Sequence, residues 1–180
     1  MYLSDRDIRI AINAGDISIS DFDEWRLQPA SYDIRLWDKF LIVKDYSVTN
    51  IDPVNKILPE YEEICFTPEQ GFILRPGVTI LWTSIEKFWS EKYLIQLSGK
   101  SSLARLGLIV HNTAGLINPG HYLNITFELA NMNSIPIILR PGMEIAQLLF
   151  AEMTSPPEQD YRKIGRYGEW EENMTGYIHK

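Results

Sequence analysis

The chain has 180 residues, 45% hydrophobic and 23% charged, proportions that suit one soluble globular domain with a real core. A net charge of −7 excludes a sequence-independent grip on nucleic acid, which needs a basic surface, and leaves room only for a local cationic pocket. No apolar run is long enough to cross a bilayer, no secretory leader is visible, and the single Cys65 cannot form an internal disulfide. The expectation is a cytoplasmic protein without membrane or nucleic-acid partners.

One helix is predicted at the N-terminus. Ser4 is a good N-cap with Asp7 three residues on, Ile8, Ala11 and Ile12 follow at helical spacing, and Gly15 supplies the stop. From about residue 30 the pattern is one of strands. Ser31-Tyr32-Asp33-Ile34-Arg35-Leu36 alternates as a half-buried strand does, and parts of Phe40-Leu41-Ile42-Val43 and Gly71-Phe72-Ile73-Leu74 do the same. Cys65, within Glu63-Ile64-Cys65-Phe66, reads as a small buried core residue. Arg75-Pro76-Gly77 and Arg140-Pro141-Gly142 are matching turn signals, each followed by an apolar strand. Many short strands with regular turns predict a β-sandwich or barrel-like fold. After Thr154 the text becomes polar, with Tyr161, Tyr167, Trp170 and Tyr177 as apolar anchors that favour a docked tail.

The richest stretch is Ser98-Gly99-Lys100-Ser101-Ser102-Leu103-Ala104-Arg105-Leu106-Gly107-Leu108. It offers two adjacent hydroxyls, a point cation in Lys100, a bidentate cation in Arg105 and backbone amides around Gly99, the chemistry of a site for a phosphorylated ligand. The same residues fit a turn followed by a short helix with both cations merely solvated, and composition alone favours that reading. Farther on, Thr113 to Gly120 reads as strand then turn. Leu123-Asn124-Ile125-Thr126-Phe127-Glu128-Leu129 reads as a strand with Ile125, Phe127 and Leu129 on one face and Asn124, Thr126 and Glu128 on the other. Glu128 is then either at a sheet surface or in a functional pocket, where enclosure raises its pKa and lets it shuttle protons near neutral pH. His111 reads as a core or interface imidazole. The chain has one cysteine, and its histidines, His111, His121 and His179, are not in ligand spacing, so zinc catalysis is not expected. No nucleophile elbow, Walker loop or dinucleotide fingerprint is present.

Taken together, these motifs resemble the dCTP deaminases, the zinc-free branch of the trimeric dUTPase superfamily. Leu3 to Ile8 looks like that family's opening helix, and Leu27-Gln28-Pro29-Ala30-Ser31-Tyr32-Asp33-Ile34-Arg35-Leu36 like its Q-P-(A/S)-S-Y-D-(L/I)-R-L strand. Gly99 to Leu108 is close to its G-(R/K)-S-S-L-(A/G)-R-L-G-L signature. Thr113-Ala114-Gly115, Pro119-Gly120 and Thr126-Phe127-Glu128-Leu129 resemble its catalytic strand pair, and Leu139 to Leu148 continues the match. The resemblance implies one domain over 1–180, with a core of about 1–161 and a C-terminal lid or tail over 162–180. It implies a mainly β, distorted jelly-roll-like barrel with a short N-terminal helix, assembled as a homotrimer with sites between subunits. It further implies hydrolytic deamination of dCTP to dUTP and ammonia, with magnesium arriving on the triphosphate and no zinc.

By motif position, Glu128 is the implied general acid/base, Ser101 and the Ala114 carbonyl hold the water, and Arg105 stabilises the leaving-group region. Lys100 and Ser102 meet phosphate, Thr126 and Phe127 line the nucleoside pocket, and Asn118, Tyr161 and Arg166 contact the nucleotide. Three departures stand out. Asn118 occupies the place of an aspartate that activates water against the phosphate chain in dUTPases and bifunctional enzymes; its amide cannot act as a base, which favours deamination alone. Leu116 stands where some single-function enzymes carry arginine, which weakens one ligand contact or marks a different subgroup. The tail text Arg166-Tyr167-Gly168-Glu169-Trp170-Glu171-Glu172 lacks the family's Gly-Pro and adds acids. A dUTPase or bifunctional enzyme, and a nucleotide-binding regulator without turnover, are the alternatives.

Overall fold

Ser4 starts helix α1 (Asp5–Asn13) as the sequence expects. Its hydroxyl accepts from the Asp7 N–H at 3.3 Å and donates to the Asp7 carboxylate at 2.8 Å. Ile8 and Ala11 are buried beneath the helix, and Gly15, at φ +77°, turns the chain away. The computed structural model describes residues 1–159 and 161–165. The strands follow in order: β1 (Ser18–Ile19), β2 (Leu27–Gln28) after a short 3₁₀ turn, β3 (Ser31–Val43), β4 (Tyr61–Cys65), β5 (Phe72–Leu74), β6 (Thr79–Trp89) and β7 (Tyr93–Gly99). Then come helix α2 (Ser101–Ala104), β8 (Leu108–Ile109), β9 (Leu116–Ile117), β10 (Leu123–Asn131), β11 (Ile137–Leu139), β12 (Glu144–Glu152) and helix α3 (Tyr161–Ile164). Among the described residues no helix is long and apolar enough to cross a membrane.

Ten strands form one curled antiparallel sheet whose main path runs β8-β10-β6-β3-β12-β7-β9, with β1, β2 and β4 paired at its margins. The mainly β, distorted barrel-like fold is the one expected. The two Leu-Arg-Pro-Gly corners are structurally matched: β5 and β11, which lead into them, pair with each other as a separate two-stranded sheet. Gly77 and Gly142 sit at φ +73° and +80° with open space around the missing Cβ, so the turn alone demands glycine there. Ile125, Phe127 and Leu129 enter the core with Trp82, Phe40, Ile34, Leu148 and Phe150, on the face the alternation assigned to them.

Three expectations need correction. Cys65 is exposed, because β4 pairs only with β3 at the margin and presents most of its residues to solvent. The first part of β3 is buried on both faces: Ser31, Tyr32, Asp33 and Ile34 are all sealed. Its polar face is covered because Ser31 donates to Gln147 at 2.8 Å and Asp33 accepts from Lys100 at 2.5 Å. Residues 113–115 are not strand. Asn112 and Thr113 lie at φ 36° and 77°, which folds the segment into a tight turn and leaves only Leu116–Ile117 for β9.

A buried ionic network braces the strand pair β3/β6. The Glu86 side chain is fully buried; it accepts from the Arg35 guanidinium at 2.8 Å and from the Arg35 backbone N–H at 3.0 Å, with Arg26 3.9 Å away. Glu86 itself lies in a bulge of β6 between Thr83 and Lys87, which β10 spans from Asn124 to Thr126. The Asn124 amide donates to the carbonyls of Ser84 at 2.8 Å and Ile85 at 3.1 Å, while the Ser84 hydroxyl accepts from the Ile125 N–H at 2.9 Å. The groups freed by the bulge therefore find partners, and Thr126 and Glu128 are carried into register opposite Thr83 and Leu81.

Candidate active site

The hydroxyl-rich run forms the end of β7, the single turn of α2 and the loop into β8. Lys100 caps α2 through its backbone, whose carbonyl accepts from the Leu103 and Ala104 N–H groups at 3.0 and 2.9 Å. Ser101, Ser102 and Arg105 are exposed, and among the described residues no side-chain hydrogen bond or ion pair engages them. Lys100 is different. Its ammonium donates to Asp33 at 2.5 Å and to Glu144 at 2.7 Å, so two of its three donors are already engaged inside the chain. Burial pulls its pKa down, but the hydrogen bonds and charges of the two carboxylates outweigh that and hold it above the ordinary lysine value. Asp33 and Glu144 were not singled out from the sequence. Asp33 carried a usable signal, a charged position on a strand that proves buried on both faces.

The turn at residues 111–115 sits beside Glu128. The Ala114 N–H donates to the His111 carbonyl at 2.7 Å, and the Leu97 N–H donates to the Gly115 carbonyl at 2.7 Å, which ties the turn to β7. A Cβ on Gly115 would stand 2.8 Å from the Leu97 carbonyl oxygen and 3.5 Å from the His111 ring, so only glycine fits between them. His111, two residues past the end of β8, makes an isolated β-bridge to Glu128 on β10. Glu128 lies on the face opposite the core and is half-buried. Desolvation raises its carboxyl to about 7, against an ordinary 4.5, with only its own backbone N–H opposing the shift. One of its oxygens, Oε2, is sealed from solvent with no hydrogen-bond partner among the described residues. Thr83 Oγ1 and His111 Nδ1 share that condition. This is the enclosed alternative that the sequence left open for Glu128.

The remaining predicted residues are spread around this centre. Thr126 is half-buried on the Glu128 face, whereas the Phe127 ring is wholly inside the core, so any contact it makes with a ligand falls to its backbone. Asn118 is exposed, and its carbonyl accepts from the His121 N–H at 3.2 Å. Tyr161 stacks on His121, ring centroids 5.2 Å apart and planes 18° from parallel, and burial lowers the His121 pKa. Arg162 reaches Glu91 at 3.2 Å. Arg166 and the rest of the predicted lid lie outside the described residues. A cleft of about 260 Å³ lies along Glu91, Pro119, Pro157 and Arg162, at the edge of this region and away from Glu128. Among the described residues no hydrogen bond or ion pair connects Glu128 with Ser101, Ser102 or Arg105, and no group of three or more His, Cys, Asp or Glu is placed to hold a metal ion.

Comparison with known proteins bears on this arrangement. Residues 2–153 match the model of a family described as dCTP deaminase-like. A Corynebacterium jeikeium protein named "dCTP deaminase, dUMP-forming" is 45% identical over 163 residues, covering 89% of this chain and 86% of that protein. A Mycobacterium ulcerans protein of the same name is 42% identical over 166 residues, covering 92% and 87%. The crystal structure of 2′-deoxycytidine 5′-triphosphate deaminase from Agrobacterium tumefaciens superimposes with a TM-score of 0.63 at 24% identity, over 83% of this chain and 48% of that one, a likeness of fold. With a family model spanning most of its length and relatives this similar along nearly their whole length, the chain belongs to the dCTP deaminase-like family.

Proposed function

We propose that this chain hydrolyses the C4 amino group of dCTP, releasing ammonia, with Glu128 as the general acid/base. The observation that carries the reading is the half-buried Glu128 carboxyl with a pKa of about 7, on β10 beside the 111–115 turn, in a chain whose relatives are named dCTP deaminases. Water is a poor nucleophile, and a carboxylate titrating near neutrality can take its proton and give it up again within one turnover. The Glu128 carboxylate accepts a proton as the water oxygen bonds to C4, passes it to the ring nitrogen, and mediates transfer of the second proton to the amine, which leaves as ammonia. Ser101 and the Ala114 carbonyl hold the water, and Arg105 stabilises the leaving-group region. Ser102 and the one unengaged donor of Lys100 meet the triphosphate, whose magnesium enters with the substrate. Thr126 and the Phe127 backbone face the nucleoside, and Asn118 accepts a sugar hydroxyl. Tyr161 and Arg166 complete the contacts.

The homotrimer belongs to the same proposal. Ser101, Ser102 and Arg105 are exposed and, among the described residues, make no hydrogen bond or ion pair with Glu128 in their own chain, as expected if each site is completed by the α2 region of a second copy. The expected product is dUTP, because Asn118 offers no base for attack on the phosphate chain. A second reading, dUMP with release of pyrophosphate, is favoured by the name "dUMP-forming" carried by the relatives and by Leu116 at the subgroup position. The test is incubation with dCTP, dCMP, CTP and dUTP plus magnesium, with products separated by chromatography. Ammonia with dUTP supports the first reading, ammonia with dUMP the second, and no ammonia from any substrate leaves a nucleotide-binding regulator. A zinc-selective chelator is expected to leave the rate unchanged, and a lost rate overturns the metal-free mechanism.

A further inference from the structure

The sheet around Glu128 holds three polar side-chain atoms that are sealed from solvent and have no hydrogen-bond partner among the described residues: Glu128 Oε2, His111 Nδ1 and Thr83 Oγ1. Buried groups of this kind are ordinarily satisfied, and three in one place call for a common explanation. Strand register brings them together. His111 is the bridge partner of Glu128 on one side, and on the other β10 pairs with β6 so that Thr126 opposes Thr83 and Glu128 opposes Leu81. Directly opposed side chains share a face with Cβ atoms about 5 Å apart, and diagonal ones about 7–8 Å. His111 thus stands beside Glu128 on one side and Thr83 diagonal to it on the other, on the face of β6 and β10 away from the core. Thr83 is only 5% exposed even there.

We infer that Thr83 and His111 are positioning residues for Glu128, holding one ordered water against its buried oxygen. The inference rests on the proposed deaminase reading only for its effect on turnover. A buried water makes about three hydrogen bonds to groups that otherwise have none, and these three atoms supply that number. With the carboxylate ionised, the water donates to Glu128 Oε2 and to the His111 Nδ1 lone pair, and it accepts from the Thr83 hydroxyl. When Glu128 takes up its proton at Oε2, the same water accepts from the carboxylic acid and the Thr83 hydroxyl can turn to accept in its place. This water is distinct from the proposed nucleophile, which lies with Ser101 and the Ala114 carbonyl. Its effect is to keep the buried side of the carboxyl solvated in both protonation states. The neighbours facing Glu128 from the adjoining strands are His111, Leu81 and Thr83, with Thr126 beside it on β10, and His111 is the one titratable group among them.

The water itself is the first test. A high-resolution crystal structure of the wild-type protein without nucleotide is expected to show one water within hydrogen-bond distance of all three atoms, and a dry site overturns the inference. The second test is the titration of the Glu128 carboxyl, followed by carbon-13 NMR in wild type, Thr83→Val and Thr83→Ser, again without nucleotide. Removing the hydroxyl is expected to move the midpoint upward and serine to restore it; an unchanged midpoint in a folded Thr83→Val protein overturns the inference. In turnover, Thr83→Val is expected to lower kcat about five- to tenfold, the worth of about one hydrogen bond, with KM for dCTP unchanged and with rescue by Thr83→Ser. If the midpoint shifts while wild type releases no ammonia, the water site stands and the deaminase reading falls. If ammonia is released while the midpoint does not move, the reverse holds.

Discussion

Glu86 and Glu128 sit on neighbouring strands of one sheet and are treated in opposite ways. Glu86 is fully buried, yet its oxygens accept from the Arg35 guanidinium and the Arg35 backbone, with Arg26 close by. Glu128 keeps some access to solvent, and among the described residues it has no cation paired with it and leaves one oxygen without a partner. A carboxylate closed off and satisfied is a brace: removing its charge strands an arginine in a dry place. A carboxylate half-closed and unsatisfied has its proton affinity moved toward neutrality at the expense of stability, a state that natural sequences tolerate where chemistry needs it.

The largest test of this contrast is on turnover. Glu128→Gln is expected to lower ammonia release from dCTP by about 10³-fold or more, while nucleotide binding followed by calorimetry persists. Full activity in that variant ends the mechanism. The partner experiment is Glu86→Gln, which is expected to cost about 3 kcal/mol of stability in denaturant unfolding because Arg35 and Arg26 lose a buried counter-charge. Turnover per folded molecule is expected to survive it. If the two variants traded places, with Glu86→Gln inactive and stable, the assignment of brace and base would be reversed.

The same contrast predicts a pH profile. A general base must be ionised in the free enzyme, and Glu128 titrates at about 7 because burial disfavours its charge. kcat/KM is therefore expected to fall on the acid side with a midpoint near that value, losing about tenfold for each unit below it. A flat profile down to pH 5 assigns the proton to another group.

Much of this was legible in the sequence. The helix cap at Ser4, the paired Arg-Pro-Gly corners and the two faces of β10 follow from capping chemistry, turn chemistry and period-2 alternation, all of which are local. Glu128 was placed on the polar face of its strand, and the choice between surface and pocket waited on its neighbours. The 113–115 segment reads as strand from its sequence, whereas Asn112 and Thr113 adopt left-handed backbone conformations and the turn is held by hydrogen bonds from the Ala114 N–H to the His111 carbonyl and from the Leu97 N–H to the Gly115 carbonyl, the second joining residues 18 apart. Cys65 was misplaced because its neighbours are apolar and nothing local says that β4 lies at the sheet's margin. The engagement of Lys100 by Asp33 and Glu144 joins residues 67 and 44 positions apart in the chain, beyond the reach of pattern reading.

Gly115 probes the packing on which the contrast depends. An alanine there would bring Cβ to 2.8 Å from the Leu97 carbonyl oxygen and against the His111 ring, forcing the turn away from β7. Overpacking of this kind costs about 2 kcal/mol, and it is expected to weaken the Leu97–Gly115 hydrogen bond and to lower kcat through the displaced Ala114 carbonyl. Amide exchange at Leu97 reports the first effect and steady-state kinetics the second. Unchanged exchange together with unchanged kcat would show that the turn does not set the geometry at Glu128.

The smallest effect is also the one with the sharpest sign. Because the folded-state pKa of Glu128 is raised from 4.5 to about 7, the folded protein holds that proton more tightly than the unfolded chain does. Stability contributed by the protonated form is complete below the unfolded value and is lost as the pH rises through the folded one. Above pH 7 the ionised carboxylate is therefore a net cost. Reduced for the solvent that still reaches the group, that cost is about 1–2 kcal/mol. Glu128→Gln carries no charge at any pH, so it is expected to melt a few degrees above wild type at pH 8 and level with it near pH 4.5. Glu86→Gln is expected to melt below wild type at pH 8. A Glu128→Gln protein that melts lower than wild type at pH 8 would mean that the carboxylate has a stabilising partner, and the distinction between the two glutamates would collapse.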